Sequence, residues 1–162
     1  MRKEIENKYG TKVMVLPRDL SNPKAPPEIF DRIEKENIGV DVLVNNAGFS
    51  VYGKFYETDL QKELKMTQVT VTSMLHLTKS FLRKMEENTE GWVLNVASTG
   101  AFVPVPLQSV YEASKSFVLS FTQALGRRRR RLPRNKDGKT CYYCSASGAV
   151  FHHGFSPVYA IF

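Results

Sequence analysis

The chain has 162 residues, of which 42% are hydrophobic, and this is enough apolar side chain for the core of one domain. No run of its residues approaches the roughly 18 continuous apolar residues of a membrane-spanning helix. We expect no secretory signal, and therefore a cytoplasmic protein with reduced cysteines. The formal net charge of +7 lies entirely in the segment 127–139, and the charges of residues 1–126 balance.

The pattern of apolar residues predicts helices that alternate with short strands. In chain order these elements are a short helix ending at Gly10, a strand from Lys12 to Pro17, a helix from about Pro26 to Glu36, a strand from Val40 to Asn45, a long helix from about Asp59 to Glu87, a strand from Trp92 to Ser98 and a helix around Tyr111. Proline suits the first turn of a helix, and the β-branched run Val69-Thr70-Val71-Thr72 should weaken the middle of the long helix.

An apolar stripe follows the long helix at helical spacing. We expect this stripe to pack in the core. Its members are Leu60, Leu64, Val71, Leu75, Phe81 and Leu82.

Two of the predicted strands lead directly into polar residues. The strand that begins at Val42 enters the turn Asn45-Asn46-Ala47-Gly48, and the strand that begins at Trp92 ends at Ser98. Parallel α/β sheets bind ligands at the edge where the carboxyl ends of their strands meet. The sequence therefore predicts a cofactor site at this edge.

Tyr111 and Lys115 stand four residues apart. On a helix this spacing places both side chains on one face, where the ammonium favours the phenolate and lowers the pKa of the tyrosine. A tyrosine with a lowered pKa can exchange a proton near neutral pH. The pattern alone also fits an ordinary amphipathic helix, so its chemical interpretation depends on the strand-end motifs.

From about Met1 to Leu125 the sequence resembles the short-chain dehydrogenase/reductase family. It matches the Asn-Asn-Ala-Gly turn, the strand-end serine and the Tyr-x-x-x-Lys helix of that family, in order and at the expected separations. The resemblance implies hydride transfer between NAD or NADP and a small-molecule carbonyl or alcohol. It also implies that Tyr111 exchanges a proton with the substrate oxygen, that Ser98 hydrogen-bonds that oxygen, and that Lys115 holds the nicotinamide ribose.

The resemblance implies further contacts. Asn46 would line the cofactor channel, and Asp19 and Leu20 match the family's Asp-Leu pair, whose aspartate contacts the adenine edge. An Asx-type turn explains Asp19 equally well. Because the long helix and the Tyr111 helix form a dimer surface in this family, a homo-oligomer is also implied.

The sequence departs from the family in two places. The family's catalytic asparagine aligns with Thr70, whose hydroxyl cannot replace the donor and acceptor pair of an amide, and this puts the water-linked proton relay in question. The glycine-rich turn that cradles the pyrophosphate has no counterpart in these residues. We therefore expect a truncated domain without the first two strands of the family's sheet, and weak dinucleotide binding.

The predicted fold class is α/β, a partial Rossmann-like doubly wound parallel sheet. The family's strand order is 3-2-1-4-5-6-7, in which Lys12–Pro17 would be the third strand and Val40–Asn45 the fourth. Without the first two strands, a gap of roughly 14 Å would separate them. We expect the third strand to pair elsewhere, another chain to fill the gap, or the segment to fold unstably.

We predict a boundary after Gly126, with the truncated domain at 1–126 and an atypical, poorly ordered tail at 127–162. The tail begins with five arginines, and its segment 127–139 holds eight basic residues and one acidic residue. This segment fits a nucleic-acid patch, a targeting patch, a solvated connector or a reading-frame shift near Gly126. We do not expect nucleic-acid binding, because aromatic residues do not interleave with the arginines.

The tail also contains cysteines and histidines that superficially resemble a metal site. These are Cys141, Cys144, His152 and His153. Adjacent histidines point in different directions on any regular element, and zinc usually requires two well-spaced ligand pairs. We predict no metal.

The predicted function is an NAD(P)-dependent oxidoreductase of the short-chain dehydrogenase/reductase type, impaired by truncation. The alternatives are a non-catalytic remnant that acts as a binding or dimerisation partner, and a chain without a selected function.

Overall fold

The computed structural model describes residues 2–87, 91–129, 142–146 and 159–161. The helices are α1 (Arg2–Tyr9), α2 (Ala25–Lys35), α3 (Leu60–Thr67), α4 (Met74–Glu87) and α5 (Ser109–Arg129). The strands are β1 (Val42–Asn45), β2 (Trp92–Val96), β3 (Tyr142–Ala146) and β4 (Tyr159–Ile161). A π-helical segment, Gln68–Ser73, joins α3 to α4, and a 3₁₀ turn, Thr99–Ala101, follows β2.

The four strands form one sheet in the order β3-β2-β1-β4, and every neighbouring pair is parallel. Val42 of β1 lies opposite Trp92 of β2 on one side and opposite Tyr159 of β4 on the other. Parallel neighbours require crossover connections, and helices supply the crossover between β1 and β2. The predicted α/β fold class with a parallel sheet is confirmed.

The strand predicted from Lys12 to Pro17 is wrong, because these residues belong to no helix or strand. Their apolar pattern suits a strand, but a strand also needs a neighbour with which to pair. The Val13 backbone N–H instead donates to Glu6 Oε1 at 3.1 Å, and Leu16 packs against the core. β4 lies beside β1, in the position that the family's strand order gives to its first strand.

The main core lies between the sheet and the helices α2 and α4. Leu43 of β1 and Val93 of β2 face this layer, and the buried cluster comprises Ile29, Ile33, Leu43, Leu77, Phe81, Met85 and Val93. The rings of Phe30 and Phe81 meet edge to face with centroids 5.3 Å apart. A second cluster joins α4 to α5 and comprises Met74, Ala97, Val118 and Leu119.

The long helical region agrees with the sequence-based expectation in its middle and departs from it at its start. The β-branched residues lie in the π-helical segment, as their poor fit to a regular α-helix suggested. The prediction that the whole apolar stripe is buried is wrong for Leu60 and Leu64, whose exposed fractions are 61% and 53%. α3 buries Glu63 and Met66 instead, so its inward face is rotated relative to the predicted stripe.

Where the structure describes helices, none combines the length and apolar character needed to cross a membrane.

Candidate active site

A buried chain of polar side chains ties the sheet to the helices that flank it. Asn45 Nδ2 donates to Asn95 Oδ1 at 2.8 Å and to Thr78 Oγ1 at 3.0 Å. Asn95 Nδ2 donates to Thr122 Oγ1 at 3.0 Å. Because these groups are buried, their hydrogen bonds fix the positions of α4 and α5 relative to β1 and β2.

Lys115 projects from α5 to the carboxyl end of β2. Its ammonium group donates to the carbonyl oxygen of Val96 at 2.8 Å, and the residue is only 5% exposed. Burial lowers the pKa of Lys115 below its ordinary value of 10.5. The ammonium nitrogen also lies 5.9 Å from the ring centroid of Tyr111, so the predicted pair does share one side of α5.

Ser98 lies two residues beyond Val96, at the start of the 3₁₀ turn. Its Oγ accepts a hydrogen bond from the Gly100 backbone N–H at 3.2 Å. The turn is held against α5, because Ser116 Oγ donates to the carbonyl oxygen of Ala101 at 3.1 Å. Ser98 therefore follows directly from the strand end to which Lys115 is bonded.

A small cavity lies beside Lys115, with room for about one water molecule. Its walls are formed by Leu20, Asn45, Ala47, Val69, Thr70, Met74, Leu77, Val96, Lys115 and Val118. A Cβ atom placed on Gly48 would lie 3.6 Å from Lys115 Nζ and 3.7 Å from Thr70 Oγ1. Both polar groups therefore approach the same space beside the Asn-Asn-Ala-Gly turn. Thr70 Oγ1 and Asn45 Oδ1 are buried without a hydrogen-bond partner among the described residues.

The other predicted cofactor residues are divided between this cavity and the surface. Leu20 lines the cavity, whereas Asp19 and Asn46 are exposed. The two Asp19 carboxylate oxygens accept from the backbone N–H and the hydroxyl of Ser21, each at 2.9 Å. The backbone bond is the main reason that the pKa of Asp19 is lowered. This geometry is the local turn that competed with the adenine contact as an explanation for Asp19.

Two groups with structural roles in the site were not identified from the sequence. One is the buried asparagine and threonine chain, and the other is Glu112, which is 5% exposed in the first turn of α5. An asparagine within an apolar strand, such as Asn95, was the available signal, because a buried amide requires partners.

Within the described part of the chain, no three His, Cys, Asp or Glu residues are placed to hold a metal ion. Of the four tail residues considered for metal binding, Cys144 belongs to β3. Cys141, His152 and His153 lie outside the described residues.

The lowered pKa of Lys115 makes stability depend on pH. Between that pKa and 10.5 the unfolded chain binds more protons than the folded chain, so the free energy of unfolding should rise with pH across this window. Lys115→Met should remove this rise. Urea unfolding at a series of pH values tests the difference, with Lys62→Met at an exposed position of α3 as the control. Parallel stability curves for wild type and Lys115→Met would contradict the prediction.

The chain is similar in sequence to known proteins. The family model for short chain dehydrogenase matches residues 1–131. The chain is 34% identical over 128 residues to the very-long-chain 3-oxoacyl-CoA reductase of Anas platyrhynchos, covering 75% of this chain and 40% of that protein. It is 32% identical over 124 residues to the NADP-dependent 3-hydroxy acid dehydrogenase of Schizosaccharomyces pombe, covering 76% and 48%.

Solved structures share the fold. A short-chain dehydrogenase from Sphingobium yanoikuyae in complex with NADPH matches with a TM-score of 0.75 at 23% identity, over 89% of this chain and 54% of that one. The chain spans less than half the length of the two sequence relatives. The family match, the parallel sheet and the ordered motifs agree with one another. The chain therefore belongs to the short-chain dehydrogenase/reductase family, a family of NAD(P)-dependent oxidoreductases.

Proposed function

We propose that this chain carries the catalytic side of an NAD(P)-dependent oxidoreductase that interconverts a carbonyl and an alcohol. The supporting observation is the position of Lys115, which bonds the end of β2 and lies 5.9 Å from the Tyr111 ring centroid. Ser98 follows that strand end within two residues. These positions support a site formed by the phenol, the hydroxyl and the ammonium group at the carboxyl edge of the parallel sheet, where such sheets bind ligands.

In this proposal each side chain has a separate task. Tyr111 donates its phenolic proton to the substrate oxygen during reduction and accepts it back during oxidation. Ser98 donates a hydrogen bond to the same oxygen. Lys115 holds the ribose hydroxyls of the coenzyme with N–H donors that its bond to Val96 leaves available. The nicotinamide coenzyme, when bound, supplies or accepts the hydride.

Thr70 fits a supporting role in proton transfer. It aligns with the family's catalytic asparagine, and its hydroxyl is buried without a partner beside the Lys115 cavity. A hydroxyl can either donate a hydrogen bond to a water molecule or accept one from it. We propose that Thr70 and Lys115 share such a water and that this water takes part in proton transfer, although the Thr70 hydroxyl does not reproduce the amide's donor and acceptor pair.

The residues fit the nicotinamide ribose better than the pyrophosphate. Lys115 Nζ and Thr70 Oγ1 both lie close to the place that a side chain at residue 48 would occupy, and Gly48 leaves that place empty. A phosphate cradle would need a glycine-rich turn between a strand and a helix, and these 162 residues contain no such motif. We therefore propose that the chain, by itself, holds the coenzyme weakly.

The site is bordered by two loops that expose apolar side chains. These are Phe49, Tyr52, Phe55 and Tyr56 in the first loop, and Phe102, Val103, Val105 and Leu107 in the second. The loops are joined, because the Gly53 backbone N–H donates to the carbonyl oxygen of Leu107 at 2.9 Å. Exposed apolar patches mark binding sites for apolar partners. Together with the names of the relatives, this favours a 3-oxoacyl or 3-hydroxyacyl substrate.

A direct absorbance assay of coenzyme oxidation tests the proposed function. The folded chain is mixed with a medium-chain 3-oxoacyl thioester and either NADPH or NADH, and loss of the reduced nicotinamide absorbance is followed. We expect the rate to rise in proportion to coenzyme concentration into the millimolar range, because the weak site stays unsaturated. A folded chain that consumes neither coenzyme would overturn the proposal and favour a non-catalytic binding or dimerisation partner.

We also propose self-association through the long helices. Leu60 and Leu64 of α3 and Phe117 of α5 are exposed apolar side chains, and the Phe117 ring stacks on that of Phe121 at 5.9 Å. Sedimentation velocity tests this, and a monomer at all concentrations would contradict it.

A further inference from the structure

Glu112 is a buried carboxylate that the proposed chemistry does not use, although it is the residue next to Tyr111. Its Oε2 accepts a hydrogen bond from the Val105 backbone N–H. Its other oxygen lies against Gly100, where an added Cβ would be 3.1 Å from Oε1 and 3.2 Å from Cγ. The Glu112 side chain therefore contacts the loop between β2 and α5 twice, at Gly100 near the start of the loop and at Val105 near its end.

This loop, residues 99–107, connects Ser98 to the helix that carries Tyr111. Two neutral hydrogen bonds also hold it, from Ser116 Oγ to the Ala101 carbonyl and from the Gly53 N–H to the Leu107 carbonyl. A bond to an ionised carboxylate is roughly twice as strong as a neutral one.

A second glutamate holds the neighbouring loop in a similar way. Glu63 is 7% exposed in the first turn of α3, and its Oε1 accepts from Thr58 Oγ1 at 2.8 Å. Thr58 Oγ1 is also bonded to the Phe55 carbonyl at 3.0 Å. Each apolar loop at the site is thus anchored to the first turn of a helix by a buried glutamate.

We propose that Glu112 is a positioning residue that holds loop 99–107 in place between Ser98 and the first turn of α5. The hydrogen bond from the Val105 backbone to the Glu112 carboxylate fixes the loop, and the fixed loop determines where the exposed Phe102, Val103 and Val105 side chains lie. The anchoring of the loop follows from these contacts alone. Its consequence for substrate binding rests on the proposed function.

Amide hydrogen exchange measured by NMR tests the anchoring without coenzyme or substrate. In Glu112→Ala the Val105 amide should exchange about tenfold faster or more, while amides of β1 and β2 keep their wild-type rates. Glu112→Gln retains an acceptor oxygen but carries no charge, so its Val105 exchange rate should lie between those of the wild type and Glu112→Ala. Glu28→Ala is the matched control, because Glu28 is an exposed glutamate in the first turn of α2, and it should leave the Val105 rate unchanged.

An unchanged Val105 rate in Glu112→Ala, or an equal acceleration of all amides, would overturn the proposal. If Glu112→Ala does not fold, the Val105 exchange rate in Glu112→Gln provides the test. A Val105 rate equal to that of the wild type in Glu112→Gln would then overturn the proposal. In the oxidoreductase assay Glu112→Ala should raise KM for the 3-oxoacyl thioester by a larger factor than it lowers kcat. Faster Val105 exchange in the Glu112 variants, together with a wild type that shows no turnover, would support the anchoring of the loop and reject the proposed function.

Discussion

Replacing Tyr111 with phenylalanine is expected to lower the rate of carbonyl reduction by a factor of roughly 10² to 10⁴. The change removes one oxygen atom from a half-buried ring, so the fold should be retained. The loss follows because phenylalanine cannot donate a proton to the substrate oxygen. Initial rates at matched NADPH and 3-oxoacyl thioester concentrations measure the effect.

Tyr9→Phe is the matched control for this experiment. Tyr9 is 66% exposed at the end of α1, and a lysine ammonium, from Lys8, lies 5.2 Å from its ring centroid. It therefore reproduces a tyrosine beside a lysine outside the proposed site. Equal rates for wild type and Tyr111→Phe would reject the role assigned to Tyr111.

Replacing Phe81 with alanine is expected to lower the free energy of unfolding by about 3 to 5 kcal/mol. Phe81 is 2% exposed at the centre of the main core and meets Phe30 edge to face. Truncation leaves a cavity between α2, α4 and the sheet, because the surrounding backbone can close it only in part. Urea unfolding gives the change in free energy.

Leu64→Ala serves as the comparison for the core variant, because Leu64 lies on the same helical stripe of the sequence but is 53% exposed. Its effect should stay within about 0.5 kcal/mol. Similar decreases in the free energy of unfolding for Phe81→Ala and Leu64→Ala would show that the whole stripe is buried, contrary to the structure.

The sequence was sufficient where local patterns determine structure. The observed β1 and α2 agree with their predictions within about two residues, since a short apolar run and a first-turn proline, Pro26, are local signals. The position of Lys115 next to Tyr111 also followed from helical spacing. The hydrogen bond from Lys115 to Val96 did not, because the strand end and the helix are brought together only by the tertiary fold.

The errors arose where distant neighbours decide the outcome. Residues 12–17 have the composition of a strand, but they pair with none of the strands in the described sheet, which ends at β4 beside β1. Leu60 and Leu64 have core spacing, but the contacts of α3 turn Glu63 inward. Glu112 gave no sequence signal, because its partner Val105 contributes only a backbone N–H.

Saturation-transfer NMR with NADPH is the most direct test of the claim that this chain holds the nicotinamide end of the coenzyme and lacks the phosphate cradle. We expect saturation to reach the nicotinamide and its ribose protons, with a Kd in roughly the millimolar range, and Lys115→Met to abolish the transfer. A micromolar Kd, or saturation confined to the adenine protons, would contradict the claim.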